Sequence, residues 1–108
     1  MRRISLTQTG AGSTQVVPMD QYISPFNVGF DVVDAGGATY SVQYTFDDVF
    51  ANDFDPATAT WFTHPDAAGL TDNFDGNIAF PVSAMRLTVS AGTTPVTINI
   101  LQAGIGGA

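Results

Sequence analysis

Any chemistry in this 108-residue chain would have to come from aspartate, because its side chains offer little else. All ten acids are Asp, there is no Glu or Lys, and Cys is absent. There is one histidine, His64, beside Pro65 and two residues before Asp66. Nucleophilic catalysis needs a Ser, Thr or Cys activated by a positioned base. No G-x-S-x-G or comparable nucleophile signature accompanies His64, so it reads as a surface loop residue rather than a general base. Asp47 and Asp48 are adjacent, so on an extended chain they point to opposite faces and do not converge as a glycosidase-type carboxylate pair. Zinc is disfavoured by one His and no Cys. The expectation is a chain with no catalytic residues.

Calcium is the metal that these side chains suit best. Asp47, Asp48, Asn52, Asp53 and Asp55 crowd one stretch, and Asp72, Asn73, Asp75 and Asn77 flank Gly76 in another. Calcium requires six to eight oxygens, several of them carboxylate. Neither stretch follows the D-x-[DN]-x-[DN]-G loop with its closing Glu. Asp and Asn are also the ordinary residues of turns. The expectation is that Asp47, Asp48, Asp53, Asp55, Asp72 and Asp75 serve turns, that calcium is dispensable, and that no cofactor is needed.

The elements that would position these residues are strands. Ten Val, six Ile and thirteen Thr stand against four Leu, a composition that suits pleated sheet. In 38–46, Tyr40, Val42, Tyr44 and Phe46 share one parity while Thr39, Ser41, Gln43 and Thr45 share the other. This is the period of a half-buried strand, with Tyr44 and Phe46 in the core. Phe26, Val28, Phe30 and Val32 alternate in the same way, with Asp34 to Gly37 as a hairpin turn between the two runs. Met85, Leu87 and Val89, then a turn at 91–94, then Val96, Ile98 and Ile100 form a second hairpin. Ile4 and Leu6, a turn at 9–13 and Gln15 to Val17 form a third. Residues 57–62 read as a strand after the Asp55-Pro56 turn, and 64–77 as a loop. Trp61 and Phe62 fall on opposite faces, so one is expected in the core and the other covered or at an interface. About seven short strands with frequent turns predict one antiparallel β-sandwich domain over 1–108, with a small β-barrel as the alternative and a flexible Gly-rich tail at 103–108.

The formal charge is −7, with Arg2, Arg3 and Arg86 the only basic residues besides His64. Such a surface is repelled by a phosphate backbone, which argues against nucleic-acid binding. No run approaches the roughly 20 apolar residues of a membrane helix. The opening Met1 to Thr7 lacks the apolar stretch of a signal peptide, and the absence of Cys suits a reducing cytoplasm.

Several strings carry a resemblance. Tyr44-Thr45-Phe46-Asp47-Asp48-Val49-Phe50, Thr60-Trp61-Phe62-Thr63-His64 and Phe80-Pro81-Val82-Ser83-Ala84-Met85-Arg86-Leu87-Thr88-Val89 resemble segments of small structural proteins of tailed bacteriophages. The opening Met1 to Thr7 and the closing Val96 to Gly104 are similar to theirs too. The resemblance implies a virion component assembled in the host bacterial cytoplasm. Its position would be a capsid decoration or cement protein on the outer shell, or a tail-associated or fibre subunit with lectin-like adhesion. The implied partners are the major capsid protein or tail proteins, together with further copies of the chain. The family supplies no catalytic residues to carry over. From the residues themselves, Arg2, Arg3, Trp61 and Ile105 are the candidate contacts: a cationic pair on an acidic chain, a large aromatic, and an Ile among glycines.

Overall fold

The computed structural model describes residues 3–19, 27–34 and 36–103. Among the described residues nine strands form two antiparallel sheets: β1 (Ile4–Thr9), β2 (Gly12–Ser13), β3 (Val17–Pro18), β4 (Asn27–Asp34), β5 (Thr39–Thr45), β6 (Phe62–Thr63), β7 (Phe74–Ile78), β8 (Ala84–Ala91) and β9 (Pro95–Ala103). One sheet runs β1-β9-β4-β7. The other runs β2-β8-β5-β6, with β3 also paired to β8. β2 and β3 pair with successive parts of β8, so they are two pieces of one interrupted edge strand. Counted that way, eight strands are shared between two four-stranded sheets, changing sheet at every connection except β5 to β6, in the order of a double Greek key, the jelly roll. Two separate sheets make this a sandwich and not a closed barrel.

The alternation in the sequence becomes the core. Val28, Phe30 and Val32 of β4 and Val96, Ile98 and Ile100 of β9 face Tyr40 and Val42 of β5 and Met85, Leu87 and Val89 of β8, all buried. Burying each such side chain contributes about 1.5–3 kcal/mol. The other parity is polar and faces out: Ser5 and Thr7 in one sheet, Ser41, Gln43 and Thr88 in the other.

All three expected hairpins are something else. β1 and β2, β4 and β5, and β8 and β9 lie in different sheets, so each turn carries the chain across the sandwich. Asp34 holds one crossing, its Oδ1 accepting from the N–H groups of Gly36, Gly37 and Ala38 at 3.1–3.2 Å. Gly92 holds another. Its φ is +101°, and a Cβ there would lie 2.7 Å from the Ala38 Cα, so only glycine fits.

Two further expectations are corrected. Residues 55–58 form turns rather than the start of a strand, and pairing begins at Phe62. The stretch 64–77 is not all loop, because Phe74–Ile78 is β7, antiparallel to β4. Its Gly76 lies opposite Phe30, where a Cβ would fall 2.9 Å from the Phe74 ring and 3.2 Å from that of Phe30. The residue that reads as a turn is there to make room for two rings. At the C-terminus, β9 continues through Ala103, and the rest of the expected tail lies outside the described residues.

Candidate functional site

The Asp-rich segment between β5 and β6 is ordered by its own carboxylates. Asp47 Oδ2 accepts from Thr60 N at 2.9 Å, Asp48 Oδ1 from Phe50 N at 3.0 Å and Asp55 Oδ1 from Ala57 N at 2.9 Å. The Asp48 and Asp55 contacts are side-chain-capped turns, the ordinary work of Asp, and the Asp47 contact ties the two ends of the segment together. Asp47, Asp48, Asp53 and Asp55 do line one hollow of about 290 Å³. Among the described residues, however, no three acids or histidines come together closely enough to hold a metal ion. The second group is split. The Asp72 carbonyl accepts from the Tyr40 hydroxyl, while Asp75 sits on β7 opposite Asp31 of β4. Burial first, then the charges of Asp34 and Asp72, push the Tyr40 phenol up to about 12.

His64 is buried, contrary to the surface reading. Its Nδ1 accepts from Asp66 N at 3.2 Å, which leaves Nε2 as the donor to the Asn77 carbonyl at 3.0 Å. Its ring stands edge-on to Phe30, 5.3 Å between centroids. Both nitrogens are thereby engaged in bracing the 64–70 segment against β7.

Trp61 is half-buried on the outer side of the β5–β8 sheet. Its Nε1 donates to the Pro56 carbonyl at 3.0 Å, and the Arg86 guanidinium lies 4.1 Å from the ring centroid. Arg86 Nε in turn donates to Gln43 Oε1 at 2.8 Å. One of the few cations is therefore consumed under an indole, a cation–π contact worth about 0.5–1 kcal/mol where partly exposed. Arg3 is exposed just before β1 and borders a groove with Asp31, Asp75, Asn99 and Leu101. Arg2 and Ile105 lie outside the described residues.

The largest departure from the sequence reading is at the end of the β5–β6 edge. Tyr44, the penultimate residue of β5, is only partly buried. Phe46, expected in the core, is 54% exposed; Phe62 is 46% and Phe80 45% exposed. Tyr44 and Phe46 do continue the inward parity of β5, and Tyr44 still packs against the core, but β5 ends at Thr45 and Phe46 stands beyond it. Phe62 is brought in by β6, directly across from Tyr44, and Phe80 follows β7. The four rings form one cluster. Tyr44 lies 5.8 Å from Phe46, 6.0 Å from Phe62 and 5.4 Å from Phe80. Phe46 lies 5.9 Å from Phe62 and 6.3 Å from Phe80. These are the separations of favourable aromatic pairs. The cluster is pinned from behind by the buried Thr45, whose Oγ1 donates to the Thr60 carbonyl at 2.8 Å and accepts from Asp47 N at 3.1 Å. Phe50, 74% exposed, stands on the same segment. A second apolar feature, a cleft of about 520 Å³, lies between Gln15, Val16 and Pro18 and the segment's Val49, Phe54 and Pro56.

What this arrangement offers is contact area. Three half-exposed phenylalanines around a tyrosine supply a rigid apolar face with few groups able to form hydrogen bonds. Contiguous exposed apolar patches of this kind mark interaction sites. The signal in the sequence is the set of aromatics at 46, 50, 62 and 80, at the end of or outside the alternating runs, although the parity of β5 points Phe46 inward.

Comparison with known proteins gives a fold and no family. No family model matches the chain, and no curated protein matches it. Among solved structures it is similar to a chain from Bacillus endospore appendages, described as a novel family of disulfide-linked pili. The TM-score is 0.50 at 12% identity, over 97% of this chain and 87% of that one. A chain of infectious bursal disease virus, Gx strain, aligns over 97% of this chain and 30% of its own length, at 15% identity and a TM-score of 0.31. The present chain has no Cys, so it cannot form the disulfide links for which those pili are described.

Proposed function

We propose that this chain is a non-enzymatic structural subunit of a bacteriophage virion, by preference a capsid decoration or cement protein that packs on the outer shell. The observation that carries the reading is the exposed ring cluster of Tyr44, Phe46, Phe62 and Phe80. Aromatic anchors concentrate binding energy at protein interfaces, and this one is held on a jelly roll, a fold that capsid domains use. The segment resemblance to phage structural proteins agrees, as does the fold-level likeness to a subunit of an assembled pilus. The polar surface suits the role as well. Rich in Thr, Ser and Asn and free of Lys and Glu, it loses little side-chain entropy on being covered. The charge of −7 favours protein partners on an outer surface over nucleic acid. The proposed partners are the major capsid protein or tail proteins and further copies of the chain, with Arg2, Arg3, Trp61 and Ile105 as additional contacts.

A second reading places the chain on a tail or fibre as a lectin-like adhesion module, because jelly rolls also serve lectins and solvent-facing rings do stand in the 46–62 region. Phenylalanine lacks the polar edge with which Tyr or Trp engages a sugar, and Trp61 already stacks on Arg86, so protein packing is preferred. Quantitative mass spectrometry of purified particles separates the two. A copy number comparable to that of the shell protein supports decoration, and a small number supports the tail.

A further inference from the structure

We infer that β1 is the edge at which two copies of this chain join, antiparallel and across a two-fold axis, to make one continuous sheet. The inference rests on the assembly reading above and supplies a partner and a geometry for one of its contacts.

An edge strand offers unpaired N–H and C=O groups, and folded proteins blunt such edges with breaks, prolines and charges. Three of the edges described here are blunted. The β2–β3 edge is cut in two by residues 14–16 and ends on Pro18. β6 is two residues long and runs into Pro65. Beyond it the 64–70 segment caps the rest of β5, with Val42 N donating to the Ala67 carbonyl and Tyr40 and Leu70 exchanging backbone hydrogen bonds at 2.9 Å. β7 carries Asp75 and Gly76 in five residues. β1, Ile4-Ser5-Leu6-Thr7-Gln8-Thr9, has six paired residues with no break, no proline and no charge. On its outer side no described strand pairs with it. Since N–H and C=O groups alternate between the two sides of a strand, three residues aim both groups outward along about 20 Å of edge.

The side chains point to a second copy as the occupant. Two chains that each carry −7 repel each other least along a seam without carboxylates, and β1 supplies one. Ile4 and Leu6 pack against the core but stay only partly buried, and an added strand would complete their cover. A two-fold axis normal to the sheet keeps the core-facing set on the core side, so residues of like parity must meet. The register that sets Leu6 against its own copy joins Ile4 with Gln8, Ser5 with Thr7 and Arg3 with Thr9. That places Leu6 on Leu6 at the axis, sets Ile4 along the aliphatic stem of Gln8 on the core side, and puts the Ser5 and Thr7 hydroxyls against each other outside. The Thr7 and Thr97 hydroxyls already form such a contact within the sheet, at 2.9 Å.

The chain has no native Cys, so engineered thiols report this register directly. Ser5→Cys and Thr7→Cys variants of the full chain, mixed and oxidised, are expected to cross-link to each other in preference to themselves. Sedimentation velocity of the unmodified chain is expected to show a dimer fraction rising with concentration. Ser5→Lys with Thr7→Lys weakens association roughly tenfold, because two like-charge pairs then face each other, and Ser5→Lys with Thr7→Asp restores it. A chain that is monomeric at every concentration, or cross-links in random proportion, overturns the inference. A dimer indifferent to the paired lysines also overturns it while leaving the aromatic-face reading intact, since neither substitution touches that face.

Discussion

Replacing Phe46 by Ala distinguishes the position read from parity from the position the fold gives it. A buried Phe truncated to Ala costs about 3–5 kcal/mol, because transfer and cavity terms add. Phe46 is 54% exposed, so somewhat less than half of a full burial free energy of about 1.5–3 kcal/mol is at stake, and a solvent-open site leaves no cavity. Its rings of contact are Tyr44, Phe62 and Phe80; aromatic pairs contribute about 0.5–1.5 kcal/mol when well buried, and exposure puts these at or below the low end. The expected loss is about 1–2 kcal/mol. Ile98→Ala, fully buried between the sheets, is the internal comparison at about 2–5 kcal/mol. Urea unfolding followed by circular dichroism measures both, with an unchanged m-value confirming that the exposed area on unfolding is the same. A Phe46→Ala loss of 3 kcal/mol or more, equal to that of Ile98→Ala, would refute the placement of this ring at the surface.

Three other outcomes follow from the same geometry. His64→Phe keeps the ring but strands the Asp66 N–H and the Asn77 carbonyl, so chemical denaturation is expected to show a loss of about 2–4 kcal/mol; a neutral result would mean that these two hydrogen bonds are not made. Tyr40 is raised to about 12 when folded against about 10 unfolded. Its contribution is therefore fully present below pH 10 and is lost as pH rises from 10 toward 12, where only the unfolded chain gives up the proton; Tyr40→Phe should flatten that fall, and an unchanged alkaline profile would contradict the assignment. Calcium should leave the melting temperature unchanged, since the Asp47, Asp48 and Asp55 carboxylates already serve backbone N–H groups; a rise of several degrees reversed by chelator would contradict this.

The sandwich was legible where one periodicity dominated. Val28 to Val32, Tyr40 to Val42, Met85 to Val89 and Val96 to Ile100 alternate because each strand has one wet and one dry face, and the structure buries those residues. Which strand pairs with which was not legible. The turns at 9–13, 34–37 and 91–94 have the glycines of hairpins, yet each crosses between sheets, because local turn chemistry does not encode whether the chain returns beside itself or over the top. β7 is hidden in the sequence because Asp75, Gly76 and Asn77 mimic a turn, although Phe74 and Ile78 carry the right parity. Parity also cannot say where a sandwich ends, which is why Phe46 was assigned inward. Nothing in the sequence announces the position of His64 between Phe30 and the Asn77 carbonyl, so its neighbours Pro65 and Asp66 suggest loop surface.

The paired substitution Phe46→Ser and Phe62→Ser, introduced into the chain during particle assembly in the host with copy number per particle counted by mass spectrometry, tests the exposed aromatic face most directly. The variant is expected to keep the sheet spectrum of the unmodified protein, since neither ring is in the core, and to be lost from particles. A folded variant present at the unmodified copy number would contradict the claim that the exposed aromatic face is where this subunit meets its assembly.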